Sequence, residues 1–570
     1  MKHLVSLIII LALLVSCNTK EQSNTDFVNI AESYINKLME TSPEFATYLG
    51  NHDFDDRIND YSLEGFQSEL ALYRSYLDSL SMINIKKLNQ NNAIDYKIMK
   101  ANLKSSIFSL DTLRSYEWNP QTYNLGGAIY GLLARDFAPL KDRLLNVKER
   151  LKAFPAVLEH AKTNLKNPTK IHTETAIGQN AGVISLIKND LQSFLDQVPE
   201  LKEEFAPVQK EAIEALQNYG NWLEKELLPI ATRDFRIGTE IFEKKLYYSL
   251  NSGLTKEEIL DRAEKALVET QEEIYYTALP LYNKYFPGRS SKDKKKVIKS
   301  VLDKLAEDHP TNENIVQLAE EYLEQCTDFV RENDLMTVPT EPIKITVMPE
   351  FQRGVAVAYC DPPGALEKNG ETYYTISPTP KTWTAKQSLS FFKEYNNYML
   401  KNLTIHEATP GHYLQLAHAN KYKGSTLLRA IFYSGTFVEG WATYAEQLMV
   451  EKGFGGDEVK MQQLKMKLRL IINSIIDQKI HTAGMTEQEA MDLMMNEGFQ
   501  EEGEAAGKWR RACMTSTQLS TYFVGNTEIN DIRSAYEQKN GKDFNMKEFH
   551  DKVLSYSSIA PKYVKELMGL

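Results

Sequence analysis

Apolar residues recur at three- and four-residue steps through most of the chain. Phe27, Ile30, Tyr34, Ile35, Leu38 and Met39 do so near its start, and Leu201, Phe205, Val208, Ile213 and Leu216 do so more loosely further on. This is the period of helices with one buried face. Thr255-Lys256-Glu257-Glu258 ahead of Ile259-Leu260 has the form of a capping box and predicts a long helix towards Tyr282, ended by Pro287-Gly288. Between residues 343 and 378 the period changes to two, predicting strands at Ile343–Val347, Val355–Tyr359 and Thr372–Ile376, with Asp361-Pro362-Pro363-Gly364 as a turn. After Thr382 the helical period returns and lasts to the end. The pattern predicts a mainly α protein in which 27–570 forms one two-lobed unit. A helical lobe would cover 27–340, and a small antiparallel sheet with further helices would cover 341–570.

The start of the chain carries an address. Met1-Lys2-His3 is followed by an apolar run from Leu4 to Val15, interrupted only by Ser6, and then by Ser16-Cys17. The run is shorter than the roughly 20 residues a membrane span needs, and it has the form of a signal-peptide core. Leu14-Val15-Ser16-Cys17 resembles a bacterial lipobox, which makes residues 1–17 a lipoprotein leader and Cys17 the lipidated residue; an ordinary signal peptide with a chance cysteine is the other reading. Residues 18–26 are polar, as a flexible tether would be, and Asn18 gives no acidic signal for inner-membrane retention. The expectation is a cell-envelope lipoprotein attached to the outer membrane through Cys17.

Composition narrows the chemistry. With Cys17 set aside, Cys326, Cys360 and Cys513 are odd in number and scattered, which excludes a disulfide framework or a thiolate metal site. The net charge of −11 argues against a nucleic-acid partner.

The candidate site lies in Thr404-Ile405-His406-Glu407-Ala408-Thr409-Pro410-Gly411-His412-Tyr413-Leu414-Gln415. In His-Glu-x-x-His, histidines four apart project about 40° from one another on a helix and share a zinc ion. Here they are six apart, about 240° on an unbroken helix, and Pro410-Gly411 stands between them. Proline disfavours helical geometry at the preceding residue, and glycine reaches conformations closed to other residues. The pair is therefore expected to break the helix and return His412 to the side of His406. Glu439 is the expected third ligand, with Glu446 behind a histidine and Gln415 in a supporting position. His418 is a rival ligand. Glu407 would take the proton from a metal-activated water. The expected cofactor is one Zn²⁺ per chain, although cobalt or manganese suits the same donors.

Around this centre, the strands carry Tyr359 and Tyr374 as candidate substrate contacts. A sheet edge beside a metal is a natural clamp for an extended peptide, or else only a scaffold for the helices. Arg511, Gln518 and Tyr522 are spaced as one polar stripe on a helix. Tyr522 would donate to an oxyanion, Gln518 would hold a substrate amide, and Arg511 would pair with a substrate carboxylate.

Three segments together resemble the bacterial family catalogued as domain of unknown function 885. They are His406-Glu407-x-x-Pro410-Gly411-His412-x-x-Gln415, Glu439-Gly440-Trp441-Ala442-x-Tyr444-x-Glu446, and Arg511 with Gln518-x-x-x-Tyr522-x-x-Gly525. The chain departs from that pattern at Ala512, where the family has an aromatic residue, and at Ser516-Thr517, where it has Pro-Gly. The resemblance implies a mostly helical zinc-dependent metallopeptidase of the envelope, with a deep channel and short peptides as substrates. The alternatives are a zinc amidohydrolase acting on a non-peptide or cell-wall amide, and a non-catalytic peptide-binding lipoprotein.

Overall fold

The computed structural model describes residues 2–348, 353, 357–367 and 370–570, with side chains from residue 20 onward. The leader and lipobox side chains, that of Cys17 included, lie outside what is described. Helix α1 (Lys2–Thr41) continues through 18–26, where composition predicts a tether, and buries Phe27, Tyr34, Ile35 and Leu38 as the periodicity requires. Among the described residues no helix is long and apolar enough to cross a membrane.

The chain forms two compact units. The first comprises Met1–Phe235, Gly364–Gly370 and Lys423–Phe432; the second comprises Arg236–Pro363, Glu371–Tyr422 and Tyr433–Leu570. The main boundary therefore falls near 235 and not near 340. Two short returns of the chain complete the first unit, and sequence-local periodicity carries no sign of them.

The first unit is helical. In it α2 (Gln90–Phe108) presents Asp95, which is wholly buried and bonds Arg429 Nε at 2.6 Å and Thr426 Oγ1 at 2.7 Å, tying the 423–432 return in place. Leu144, Val147, Leu151 and Phe154 of α3 (Leu140–Asn164) pack in one core with Phe205, Ala212 and Leu216 of α4 (Lys202–Trp222). The glycine-rich stretch from Leu125 opens a short helix, Gly126–Ala134, with Ala128 and Ile129 buried.

The second unit holds every residue of the candidate site. Helix α5 (Lys256–Tyr285) opens on the capping box formed by Thr255 and Glu258. After α6 (Ile315–Glu332) come strands β1 (Ile343–Val347), β2 (Ala358–Asp361) and β3 (Thr372–Ile376). Their order is β1-β3-β2, with β1 parallel and β2 antiparallel to β3. The sheet is thus mixed, not antiparallel as expected, because β3 inserts between its two predecessors. Residues Val355 and Ala356 of the expected second strand lie outside the described residues. Val357, Tyr374 and Ile376 pack against Ile315, Ala319 and Tyr322 of α6, fixing one face of the sheet in the core.

Among the helices that follow, six bear on the site: α7 (Asn397–Glu407), α8 (His412–Ala419), α9 (Gly435–Glu451), α10 (Gly456–Thr482), α11 (Glu502–Thr515) and α12 (Ser520–Asn540). Helix α10 is buried on nearly all sides, the mark of a helix at the centre of a large unit. Its Met461, Leu464 and Leu468 meet Ile274, Ala278 and Leu281 of α5, while Ile471 and Ile475 meet Phe523 and Val524 of α12.

Helices α9 and α12 cross at Gly440 and Gly525. A Cβ on Gly525 would overlap the Thr436 carbonyl oxygen and the Gly440 backbone, so only glycine permits this approach. The crossing brings Glu439 and Tyr522 into one neighbourhood. Gly525→Ala is expected to lower the stability of this unit by about 1–3 kcal/mol, as overpacking does. Chemical denaturation compared with wild type measures it, and an unchanged midpoint would contradict the close crossing.

Candidate functional site

Helix α7 ends at Glu407. Ala408 leaves helical geometry, the Thr409–Pro410 peptide is cis, and α8 begins at His412. The Gly411 amide donates back to the Ile405 carbonyl at 2.9 Å, and a Cβ on Gly411 would overlap the Ile405 and His406 carbonyl oxygens. Proline supplies the break and glycine the tight return. Trp441 of α9 locks the turn by donating its indole N–H to the Pro410 carbonyl at 2.8 Å.

The return brings the two imidazoles together, ring centroids 4.7 Å apart and nearly perpendicular. Both Nε2 atoms lie 3.6 Å from Glu439 Oε2, contributed by the first turns of α9. That oxygen is buried and has no hydrogen-bond donor. Burial opposes the Glu439 carboxylate, but the two imidazoles outweigh it and hold its pKa well below the ordinary carboxylate range. His406, Glu439 and His412 offer ligand atoms all within 4.8 Å of one another, so the residues present fit a divalent metal.

The surroundings fix these groups. His406 Nδ1 bonds Glu446 Oε1 at 2.6 Å, which sets its proton on Nδ1 and leaves Nε2 facing Glu439. Burial works against the charged imidazole, and the neighbouring carboxylates of Glu439 and Glu446 reverse the balance, so its pKa is raised. Glu446 also accepts from Asn402 Nδ2 at 2.6 Å. Asn402 is missing from the sequence-based candidates, although it lies four residues before His406 and so on the same face of α7.

Glu407 points to the sheet, where its Oε2 accepts from the Cys360 amide of β2 at 3.0 Å. Burial raises its pKa, against the charges of His406 and His412. No side-chain pattern marks a backbone donor, so Cys360 is invisible in the sequence.

Several expectations change. Tyr374 is fully buried and shares a 2.9 Å hydrogen bond with Thr404, so it is core and not a substrate contact. Tyr359 is half-buried on β2, paired in register with Thr375. Gln415 donates to Ser558 Oγ at 2.7 Å and not to a ligand residue. His418 Nε2 meets the Thr337 carbonyl at 2.7 Å, away from the other two histidines, which removes it as a rival ligand.

Arg511, Gln518 and Tyr522 do not share a helix. Helix α11 stops at Thr515, and Ser516 and Thr517 take φ of 41° and 62° before α12 starts. Two opposite charges, the buried Asp477 and the half-buried Lys245, clamp this turn. Asp477 of α10 accepts from the Thr517 amide at 2.7 Å and from the Ser520 amide at 3.0 Å and hydroxyl at 2.7 Å, at the start of α12. Lys245 donates to the Thr515 carbonyl and Ser516 Oγ, both at 2.6 Å, at the end of α11. A negative group at a helix start and a positive one at a helix end complement both dipoles. Burial pushes Asp477 up to about 6 and Lys245 down to about 8.

The turn still brings the pair together, with Arg511 Nη2 donating to the Tyr522 hydroxyl at 3.4 Å. Burial, followed by the Glu439 charge, raises the Tyr522 pKa, so the phenol keeps its proton beside the metal-ligand cluster. Gln518 Oε1 is buried and accepts no hydrogen bond.

No curated protein matches the chain. A candidate lipoprotein of unknown function from Shewanella oneidensis has a similar solved structure, with 34% identity and a TM-score of 0.84, covering 95% of this chain and 100% of that one. A candidate lipoprotein from Colwellia psychrerythraea shares the fold at 17% identity and a TM-score of 0.79, covering 96% of this chain and 98% of that one. The model of the family described as "Bacterial protein of unknown function (DUF885)" matches residues 43–568, and this chain belongs to that family.

Proposed function

We propose that the chain is a zinc-dependent hydrolase that cleaves amide bonds in short peptides. The observation that carries this reading is the meeting of His406, His412 and Glu439 around a buried carboxylate oxygen without a donor, with a second carboxylate, Glu407, adjacent in sequence. Two imidazoles and one carboxylate are a donor set that leaves zinc an open position. Zinc held there would supply a Lewis acid and water with a pKa of about 7.

This chain's residues supply the rest. Glu407 is held through one oxygen by the Cys360 amide, which leaves the other to take a proton from water and pass it to the departing amine. Tyr522 accepts from Arg511 and keeps its own O–H to donate to a carbonyl oxygen gaining charge. Strand β2 bonds Glu407 and lies at an edge of the sheet, which supports its pairing along an extended substrate. Leu14-Val15-Ser16-Cys17, together with the lipoprotein description of the Shewanella oneidensis relative, supports attachment to an envelope membrane through Cys17.

The test is metal analysis of the purified chain together with hydrolysis of a di- and tripeptide panel, before and after a chelator. One zinc per chain, cleavage lost with the metal and restored by zinc, is the expected result. Failure to bind zinc after loading would overturn the reading, and zinc without peptide cleavage would remove the peptidase assignment. Glu446→Gln is further expected to weaken zinc binding by about 10–100-fold, since partners that orient a ligand histidine carry that much affinity. Competition with a chromophoric chelator measures it.

A further inference from the structure

The wall formed by α10 and α11 carries more positive than negative charge. Glu394 is satisfied by Lys465 and Arg469, each at 2.8 Å. Glu504 reaches Arg469 at 3.6 Å and Lys508 at 3.8 Å, and so is shared between two cations. Arg511, one turn beyond Lys508 on α11, has no carboxylate within ion-pair distance among the described residues; its contact is the Tyr522 hydroxyl. Lys508 is itself only 11% exposed in its side chain. Burial, with Arg469 and Arg511 nearby, pulls its pKa down to about 8, as expected where cations outnumber anions.

Cations withdrawn from water without full pairing are unfavourable unless a ligand completes them. The surplus also ends at a defined place. Arg511 touches Tyr522, and Tyr522 lies close enough to Glu439 and His406 for both charges to act on it. A substrate carbonyl under the Tyr522 hydroxyl would thus stand about one residue, ~3.8 Å from Cα to Cα, from a group held by Arg511. A planar guanidinium is suited to carboxylate recognition.

We propose that Arg511 and Lys508 form a pocket for the free C-terminal carboxylate of the substrate, which makes this chain a carboxypeptidase that releases one C-terminal residue at a time. The proposal rests on the hydrolase reading above. The bond broken is the last peptide bond, water adding its hydroxyl to the carbonyl carbon and a proton to the departing amino group. An acidic substrate side chain could offer the same carboxylate, so the test separates the two sources.

The probes are the tripeptide Gly-Ala-Phe as free acid, the same peptide as C-terminal amide, and Gly-Glu-Phe amide. Cleavage by the zinc-loaded wild type is followed by release of the last residue. Binding is followed by calorimetry on zinc-loaded Glu407→Gln, where turnover does not interfere. The free acid is expected to bind about ten- to a hundredfold more tightly than either amide, the range for a hydrogen bond to a charged group. Arg511→Met is expected to erase that preference with zinc content and circular dichroism unchanged, and Lys508→Met to reduce it. Equal cleavage of acid and amide by wild type would overturn the pocket and leave the hydrolase reading standing. Preference for the acid in binding, without cleavage of any peptide, would support the pocket and overturn the hydrolase reading. Tight binding of Gly-Glu-Phe amide would assign the pocket to a side chain and overturn the carboxypeptidase assignment.

Discussion

Alanine in place of Glu439 is expected to abolish zinc binding at micromolar metal while leaving the helices folded. Glu439 is the one anionic donor in the ligand set, and its Oε2 stands equally distant, at 3.6 Å, from the Nε2 atoms of His406 and His412. Those imidazoles already hold the carboxylate in its charged form against burial, so the site is electrostatically prepared for a cation bound by all three. Alanine leaves two imidazoles, fewer protein ligands than zinc sites normally use. Loss of a residue that merely orients a ligand costs about 10–100-fold in affinity, and loss of the ligand itself should exceed the upper end of that range. A second readout needs no activity. Zinc at a hundred times its dissociation constant should stabilise wild type by about 2.7 kcal/mol and shift its melting temperature, whereas the variant should melt at the same temperature with or without zinc. Equal zinc affinity in the two chains would mean that Glu439 is not a ligand.

The geometry that supports this prediction was largely legible because it is local. Pro410-Gly411 breaks the helix for reasons that belong to those two residues, and the spacing of Glu439 and Glu446 needs only a continuous α9. The sheet was legible as three strands but not in its pairing. Succession along the chain suggests hairpins, whereas β3 takes the central place by pairing with both β1 and β2, its Tyr374 and Ile376 buried against α6. Nor does Thr-Tyr-Tyr-Thr-Ile reveal which face is core, so Tyr374 reads as a surface aromatic until it is found bonded to Thr404.

The break between Arg511 and Tyr522 was hidden for a different reason. Ser516 and Thr517 take left-handed conformations without the glycine that usually announces them. What holds them is distant in sequence: Asp477 on α10 and Lys245 near the start of the second unit. The limits of the two units were hidden likewise, since the returns at 364–370 and 423–432 depend on partners such as Asp95 and the Leu49 carbonyl, hundreds of residues away.

Glu407→Gln should separate binding from chemistry. It is expected to lower kcat by about 10²–10⁴-fold, the contribution of a positioned acid–base group, with zinc content and peptide affinity close to wild type. Glutamine is nearly isosteric, and its side-chain carbonyl can still accept the Cys360 amide hydrogen bond, so the link between α7 and β2 survives. What disappears is the ability to accept a proton from water and deliver it to the leaving amine. Its neighbour His406 points the other way, to Glu439 and Glu446, so the substitution leaves the ligand side of α7 untouched. The contrast with Glu439→Ala is the informative part: one variant should lose metal and activity together, the other activity alone. If Glu407→Gln kept full activity, the base would have to be sought elsewhere. If it lost zinc as well, Glu407 would belong to the metal's own coordination, and the division of labour between the two carboxylates would be wrong.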